Sequence, residues 1–133
     1  MATSPERSAI MRAVKSRDTS PERAVRKILS AMGYRYRLHS KKLPGAPDIV
    51  FPGRKKVIFV HGCFWHGHQC KRGARVPKTN IAYWQSKIAR NVARDVQRIS
   101  ELRRLGWKAK IVWECEVPSP TLRQSLRRYL GRL

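Results

Sequence analysis

One stretch near the middle of the chain, residues 61–70, concentrates side chains that bind metals or transfer protons. It reads HGCFWHGHQC and holds three of the four histidines and two of the three cysteines. Cys63, His68 and Cys70 are close enough in sequence for one turning loop to aim all three at a zinc ion. A closed zinc site needs a fourth ligand, which Cys115, the remaining cysteine, would supply. The alternative, that the cysteines are small apolar residues, suits Cys115 alone better than the Cys-x4-His-x-Cys cluster.

Two histidines of this stretch, His61 and His66, are not needed by the zinc. A lone histidine near a sheet edge often makes only structural hydrogen bonds. Both, however, follow an apolar strand whose expected antiparallel partner begins at Asp48, and hairpin partners meet end to start. Hydrolysis of a phosphodiester uses a carboxylate to hold Mg²⁺, a base or water-orienting group, and cations near the developing charge. Asp48, His61, His66 and the surrounding lysines and arginines supply these groups.

Two further carboxylates have roles that spacing alone leaves open. Asp95 falls at the margin of the expected core-facing side of a long helix, where unpaired carboxylates are rare. We expect either a salt bridge with Arg98 or another of the many arginines, or a pair with His66 that fixes the imidazole tautomer. Glu22 lies in the first turn of its helix, where a carboxylate favours the helix dipole, and spacing indicates a capping role.

The charge balance indicates the partner. Thirty lysines and arginines against eight acidic residues leave +22 on 133 residues, and such self-repulsion costs stability unless a polyanion offsets it. Nucleic acid is the expected polyanion, with a merely solvated basic surface as the alternative. No long apolar run or signal peptide is visible, so we expect no membrane partner. An odd number of cysteines suits a reduced compartment, and we expect the protein in the cytoplasm, associated with the nucleoid.

Aromatic residues accompany this charge. Phe64 and Trp65 are adjacent in the cysteine and histidine stretch, and Trp84 opens the long helix. On a basic surface, such side chains can stack on bases or wedge between them, which requires a deformable target such as a mismatch. The alternative is that they cover the core beside the zinc, and for Trp84 the two interpretations are equally favoured.

Capping signals and periodicity place the elements that carry these residues. Ser-Pro-Glu-Arg occurs at 4–7 and at 20–23, and each copy is typical of a helix start with Ser as the cap and Pro at the first position. Alternation and apolar runs predict strands, and a spacing of three and four predicts helices. The expected strands are 34–39, 48–51, 56–61 and 107–113; the expected helices end near Lys15, at Gly33, at Leu105 and at Leu133, the last one capped by Ser119 and Pro120.

The connections predict the sheet. Pro52-Gly53-Arg54 should join the second and third strands as an antiparallel hairpin. The long helix should cross over between strands 56–61 and 107–113, which then run parallel and end on one edge. Cys63 and Cys115 would meet at that edge. The predicted fold class is α/β, a mixed central sheet flanked by helices, with residues 1–133 as a single domain.

At this point the chain resembles a known family, the very short patch repair (Vsr) DNA mismatch endonucleases, whose core is restriction-endonuclease-like. The resemblance extends from about Met11 through Val117. The sequence segments that carry it are MRAVKSRDTSPE, LPGAPDIV, VIFVHGCFWHGHQC, PKTNIAYWQSKIARNVARD and LGWKAKIVWECEV. We interpret residues 1–19 as an N-terminal DNA-contacting helix and linker, 20–117 as the catalytic core and 118–133 as a C-terminal helix.

The resemblance implies an enzyme that nicks one strand of duplex DNA 5′ to the thymine of a T:G mismatch. Asp48 resembles the Mg²⁺-binding carboxylate, assisted by the backbone carbonyl of Val60, and Glu22 matches an acidic residue near the metals. His61 resembles the residue that serves the attacking water and the scissile phosphate. His66 resembles the general base, paired with Asp95.

The resemblance also implies binding residues and partners. The structural zinc ligands are Cys63, His68, Cys70 and Cys115. The DNA-contacting residues are Met11 from the minor groove and, from the major groove, Phe64, Trp65 and Trp84. We expect a monomer that binds double-stranded DNA carrying a T:G mismatch, with mismatch-repair proteins as candidate partners. Two rival interpretations are a restriction-like endonuclease of other specificity and a non-catalytic, zinc-stabilised DNA-binding module, which would have no use for Asp48 or His66.

Overall fold

A mixed sheet with helices on both faces positions the residues of interest. The structure, a computed structural model, describes residues 19–63 and 80–132. The first predicted helix, near Met11, lies outside these residues. The described helices and strands are α1 (Ser20–Ala31), β1 (Arg37–Leu38), β2 (Ile49–Phe51), β3 (Lys56–His61), α2 (Ile81–Arg104), β4 (Lys108–Trp113) and α3 (Leu122–Leu130).

The strands follow the predicted connections. Their order in the described sheet is β1-β2-β3-β4. The pairs β1–β2 and β2–β3 are antiparallel, and the pair β3–β4 is parallel. Pro52–Arg54 forms a short 3-10 turn between β2 and β3, and Lys55 completes it in the left-handed region. The predicted hairpin and the predicted parallel crossover are both confirmed. His61, the last residue of β3, lies in register with Trp113, the last residue of β4.

Two hydrophobic clusters lie on opposite faces of the sheet. On one face, α1 and α3 cover β2, β3 and β4 through Val25, Leu29, Ile49, Phe51, Ile58, Val112, Leu122, Leu126 and Leu130. On the other face, Leu102 of α2 packs with Val50, Val57 and Phe59. Successive side chains of a strand point to opposite faces of the sheet. The unbroken apolar run in β3 therefore contributes side chains to both clusters. The predicted helix-flanked mixed sheet is confirmed.

Three predicted boundaries differ from the structure. The cap of α1 is Thr19, whose Oγ1 accepts the Glu22 N–H, so the cap lies one residue before the predicted Ser20. The third helix begins at Leu122 after Thr121, beyond the predicted cap at Ser119. The first strand covers Arg37–Leu38 only, because its partner β2 is short and the chain turns at His39, whose φ is 50°.

The orientation of α2 also differs from the prediction. The long helix carries apolar residues at intervals of three and four, and this pattern predicts that Val92 and Val96 face the core. In the structure they are 40% and 65% exposed. The less exposed positions in the middle of the helix include Asn91, Asp95 and Ile99. The helix is therefore rotated so that polar side chains point toward the sheet. Within the described residues, no helix is both long enough and apolar enough to cross a bilayer.

Tyr129 of α3 ties two strands together at the edge of the sheet where β3 and β4 begin. Its hydroxyl lies 2.8 Å from the carbonyl oxygen of Val57 and 2.9 Å from that of Lys108. Burial raises the pKa of Tyr129 to about 12. Tyr129→Phe should lower the free energy of unfolding at neutral pH by about 1 kcal/mol, because the partly buried Val57 carbonyl loses its hydroxyl donor.

The pH dependence of this loss follows from the direction of the shift. The folded-state pKa lies above the ordinary value of 10, so the stabilisation is complete below pH 10 and declines as the pH rises toward 12. Urea unfolding should therefore give a difference between wild type and Tyr129→Phe that shrinks over this window. Tyr83→Phe, at a half-exposed tyrosine, is the matched control for the loss of a hydroxyl and should leave the free energy of unfolding at neutral pH close to that of the wild type. A constant difference across the window would contradict the prediction.

Candidate active site

Asp48 lies where β2 begins, beside the end of β3. Its Oδ2 accepts a hydrogen bond from the backbone N–H of Val60 at 2.7 Å. The antiparallel register, with Ile49 opposite Ile58, brings the start of β2 to the end of β3, as the hairpin predicts. Asp48 is thus held in a fixed orientation by the main chain at the edge of the sheet where β3 ends.

The segment before Asp48 has an unusual backbone. His39, Gly45 and Ala46 all have left-handed φ angles, of 50°, 79° and 47°. A Cβ on Gly45 would lie 3.0 Å from Cβ of Arg98 and 3.2 Å from Cε1 of Phe59, so only glycine fits there without a shift. Left-handed residues outside glycine are uncommon and cluster at functional sites. The close contact with α2 fixes the entry of the chain into Asp48.

Glu22 of α1 points into the interior beside this segment. Its side chain is 1% exposed, and Oε1 lies 2.5 Å from Nε2 of His39. Glu22, His39 and Asp48 each offer one atom that could bind a metal ion, and these atoms lie within 4.8 Å of one another. Capping therefore describes only part of what Glu22 does. Its backbone N–H donates to the cap residue Thr19, while its carboxylate lies close to that of Asp48.

His39 is the residue of this group that the sequence analysis does not identify. In the sequence it is only the last residue of the expected strand 34–39. The register pairs Leu38 with Ile49, so the next step along the antiparallel ladder brings His39 opposite Asp48, and the His39 N–H donates to the Asp48 carbonyl oxygen at 3.1 Å. The pairing of the two strands is therefore the signal that could have found it.

His61 lies on the far side of Asp48, at the end of β3. It is 5% exposed, and its ring packs edge-on against Trp113 with ring centres 5.3 Å apart. Its Nδ1 lies 3.8 Å from Oδ2 of Asp95, which reaches the site from α2. Arg98, the alternative partner considered for Asp95, forms an ion pair with Glu101 at 3.4 Å. The rotation of α2 thus brings a carboxylate to the histidine of the site.

Cys63 and Cys115 meet beyond the ends of the parallel strands. Cys63 is fully buried, and its Sγ accepts the backbone N–H of Cys115 at 3.4 Å. Each cysteine follows the registered pair His61 and Trp113 by the same number of residues, so the predicted meeting of the two strand ends is confirmed. A thiolate is stabilised by such an N–H donor, and thiolate is the form that binds zinc. These two residues therefore suit a metal ligand role.

The other predicted site residues divide into two groups. Trp84 is described, is 8% exposed and packs edge-on against Tyr83 with ring centres 5.1 Å apart, which favours its role in packing at the start of α2. The remaining predicted residues lie outside the described parts of the chain; they are Met11, Phe64, Trp65, His66, His68 and Cys70.

The site thus joins carboxylates from three elements with histidines on a strongly basic chain, and comparison with known proteins identifies it. The family model described as DNA mismatch endonuclease Vsr matches residues 1–72, more than half of the sequence. The chain belongs to the Vsr family. It is a DNA endonuclease. The candidate active site of this Vsr-family enzyme is the group of carboxylates and histidines around Asp48.

Two relatives show the extent of the likeness. A type II nicking enzyme, V.XorIIP of Xanthomonas oryzae pv. oryzae, is 53% identical over 115 residues, covering 86% of this chain and 84% of its own. The DNA mismatch endonuclease Vsr of Escherichia coli is 46% identical over 109 residues, covering 82% of this chain and 69% of its own. Because these matches span most of both chains, the Vsr-family membership applies to the whole described core.

A solved structure supports the fold. The catalytic domain of the homing endonuclease I-Bth0305I is similar with a TM-score of 0.58 and 22% identity, covering 84% of this chain and 94% of that one. The mixed sheet with flanking helices thus recurs in an endonuclease domain, in agreement with the restriction-endonuclease-like core that the resemblance implies for a Vsr protein.

Proposed function

We propose that this Vsr-family endonuclease nicks one strand of duplex DNA 5′ to the thymine of a T:G mismatch, in a reaction that depends on Mg²⁺. The observation that carries the proposal is Asp48, oriented by the Val60 N–H between the buried Glu22 and His61. A relative that is 46% identical over most of both chains bears the name DNA mismatch endonuclease. Others are named nicking enzymes, which supports cleavage of one strand.

The residues at this edge suit Mg²⁺. Magnesium prefers oxygen ligands and takes one or two protein carboxylates together with substrate phosphates. Asp48 would hold the ion through the carboxylate that Val60 orients, with Glu22 nearby. The N–H and C=O of a strand residue point to the same side, so the Val60 carbonyl is directed toward the same neighbour and is proposed as a further ligand. When bound, Mg²⁺ would polarise the scissile phosphate and stabilise the charge that develops on it.

The histidines would handle the proton and the phosphate. His61, buried between Trp113 and the helix α2, is proposed to orient the attacking water and contact the scissile phosphate. Asp95 near its Nδ1 would hold the ring in one orientation. His66 remains the proposed general base; its proposed pairing with Asp95 then makes one carboxylate serve both rings. Neither role uses the zinc, because a site with four protein ligands has no open position.

Recognition of DNA is proposed to combine charge with aromatic insertion. The +22 charge favours the phosphate backbone without reading sequence. Phe64 and Trp65 from the major groove, and Met11 from the minor groove, are proposed to enter the duplex at the mismatch, where unstacking costs least. A structural Zn²⁺ held by Cys63, His68, Cys70 and Cys115 is proposed to fix the loop that carries these aromatics.

The experiment that tests this function compares two duplexes that differ only in one base pair. With enzyme in excess and Mg²⁺ present, a duplex with a central T:G pair should be nicked roughly 30-fold or more faster than its T:A parent. That ratio corresponds to a difference of about 2 kcal/mol in the cost of deforming the duplex. Each strand is labelled separately, so that the cut can be assigned to the position 5′ to the thymine.

Three other outcomes have distinct meanings. Equal cleavage of both duplexes would remove the mismatch specificity and favour a restriction-like endonuclease of other specificity. Cleavage of both strands at the same site would remove the nicking proposal. Full cleavage of the T:G duplex in EDTA, with no divalent cation, would remove the dependence on Mg²⁺.

A further inference from the structure

His39 contacts both Glu22 and Asp48, the two residues that bring carboxylates to the site, through two different parts of the residue. Its side-chain Nε2 contacts Oε1 of Glu22, while its backbone N–H donates to the carbonyl oxygen of Asp48 at 3.1 Å. Glu22 belongs to α1 and Asp48 immediately precedes β2, so the two residues are far apart in sequence. His39 is thus placed to set the distance between the two carboxylates.

The burial of Glu22 makes this contact energetically important. A carboxylate that is 1% exposed is costly to bury unless it is hydrogen-bonded. The imidazole of His39, itself 16% exposed in its side chain, supplies a hydrogen-bonding partner at 2.5 Å. Without that partner, the Glu22 side chain would gain by turning toward water and away from Asp48.

The backbone of His39 supports the same interpretation. Its φ of 50° lies in the left-handed region, which costs energy for a residue with a side chain. Histidine, asparagine and aspartate tolerate this region better than most residues. The turn at His39 ends β1 after Leu38 and directs the imidazole toward α1.

We propose that His39 is a positioning residue of the endonuclease, which fixes Glu22 and Asp48 relative to each other and thereby sets the affinity of the site for a divalent cation. The inference rests on the proposed Mg²⁺-dependent function and goes further in naming the residue that holds the carboxylates together. Residues that orient ligands in this way typically contribute 10- to 100-fold, roughly, to metal affinity or activity.

Two substitutions distinguish the contact of the His39 side chain with Glu22 from the left-handed backbone conformation of residue 39. His39→Asn suits the left-handed φ, but its amide is too short to contact Glu22. His39→Gln suits that φ less well, but its longer amide can donate to Glu22. A positioning role predicts that Gln retains function and Asn loses it, whereas a purely structural role in the turn predicts the reverse order.

The first readout is binding of Mn²⁺, used as a spectroscopic probe. Free Mn²⁺ is measured by electron paramagnetic resonance, with the protein alone and with a T:G duplex made uncleavable at the scissile phosphate. His39→Asn should weaken Mn²⁺ binding about tenfold, and His39→Gln should remain within about threefold of wild type. Lys41→Asn, at an exposed position in the same loop, is the control and should bind Mn²⁺ as wild type does.

The second readout is coupling to Glu22. Single-turnover nicking in Mg²⁺ should fall roughly 10- to 100-fold in His39→Asn. In a Glu22→Gln background, the same substitution should cost less than about twofold, since residues that act through one another are not additive. Melting temperatures of all variants show whether any loss merely follows unfolding.

Several results would overturn the proposal. They are equal Mn²⁺ affinity in wild type and His39→Asn, a larger loss in His39→Gln than in His39→Asn, additive losses with Glu22→Gln, or no Mn²⁺ binding by the wild type in either titration. Failure of the proposed function looks different: Mn²⁺ affinities would follow the expected order while T:G and T:A duplexes were cleaved alike. A wild type that prefers T:G but binds Mn²⁺ independently of residue 39 would remove the positioning role alone.

Discussion

Asp48→Asn should lower the single-turnover rate of DNA nicking by about 10³-fold, equivalent to about 4 kcal/mol of transition-state stabilisation, a magnitude typical of the loss of one preorganised electrostatic group. The substitution preserves shape, and the amide oxygen of asparagine can still accept the Val60 N–H that Asp48 accepts at 2.7 Å. The negative charge that would hold Mg²⁺ is lost. The backbone geometry should therefore survive while the chemistry fails.

DNA binding gives this prediction its control. Removing a carboxylate beside the scissile phosphate reduces repulsion, so the affinity of Asp48→Asn for a T:G duplex, measured by fluorescence anisotropy, should equal or exceed that of the wild type. Glu101→Gln makes the same change of charge at a partly exposed residue of α2 that pairs with Arg98, and it should retain its nicking rate. A fully active Asp48→Asn protein would place the metal elsewhere and contradict the proposed site.

The position of Asp48 could be predicted because it depends on local rules. The Pro-Gly-Arg turn and two apolar runs specify an antiparallel hairpin, and in a hairpin the start of one strand meets the end of the other. The proximity of Cys63 and Cys115 could be predicted for a similar reason. A crossover helix makes its flanking strands parallel, so the two strands end at the same edge of the sheet. Both predictions need only the order and type of the elements.

His39 and the rotation of α2 could not be predicted in this way. The role of His39 depends on the register of a two-residue strand and on a left-handed turn, and neither has a strong signal in residue type. In α2, periodicity assigns Val92 and Val96 to the core, yet both are exposed. The same periodicity places Asp95 only at the margin of the core-facing side, whereas its carboxylate lies 3.8 Å from Nδ1 of His61. Here the requirement for polar groups overrides the local hydrophobic pattern, as is expected at functional sites.

Cys115→Ala should remove stoichiometric zinc and unfold the protein, because a structural zinc site contributes its binding free energy directly to folding. For small zinc-binding peptides this contribution is about 10–16 kcal/mol, comparable with the whole stability of an ordinary domain, about 5–15 kcal/mol. The partner Cys63 lies just after His61 at the end of β3. Loss of the zinc would therefore release the edge of the sheet that carries the active site.

Cys115 is the discriminating position because it is only partly buried, whereas Cys63 is fully buried. If the cysteines were simply small apolar residues, Cys63→Ala would leave a modest defect and Cys115→Ala would have almost no effect. If both are zinc ligands, the two variants should lose zinc and stability alike. Zinc content by mass spectrometry and thermal unfolding by circular dichroism measure these quantities. A Cys115→Ala protein that melts as the wild type does, or a wild type that keeps its melting temperature after verified zinc removal, would exclude a structural zinc at this edge.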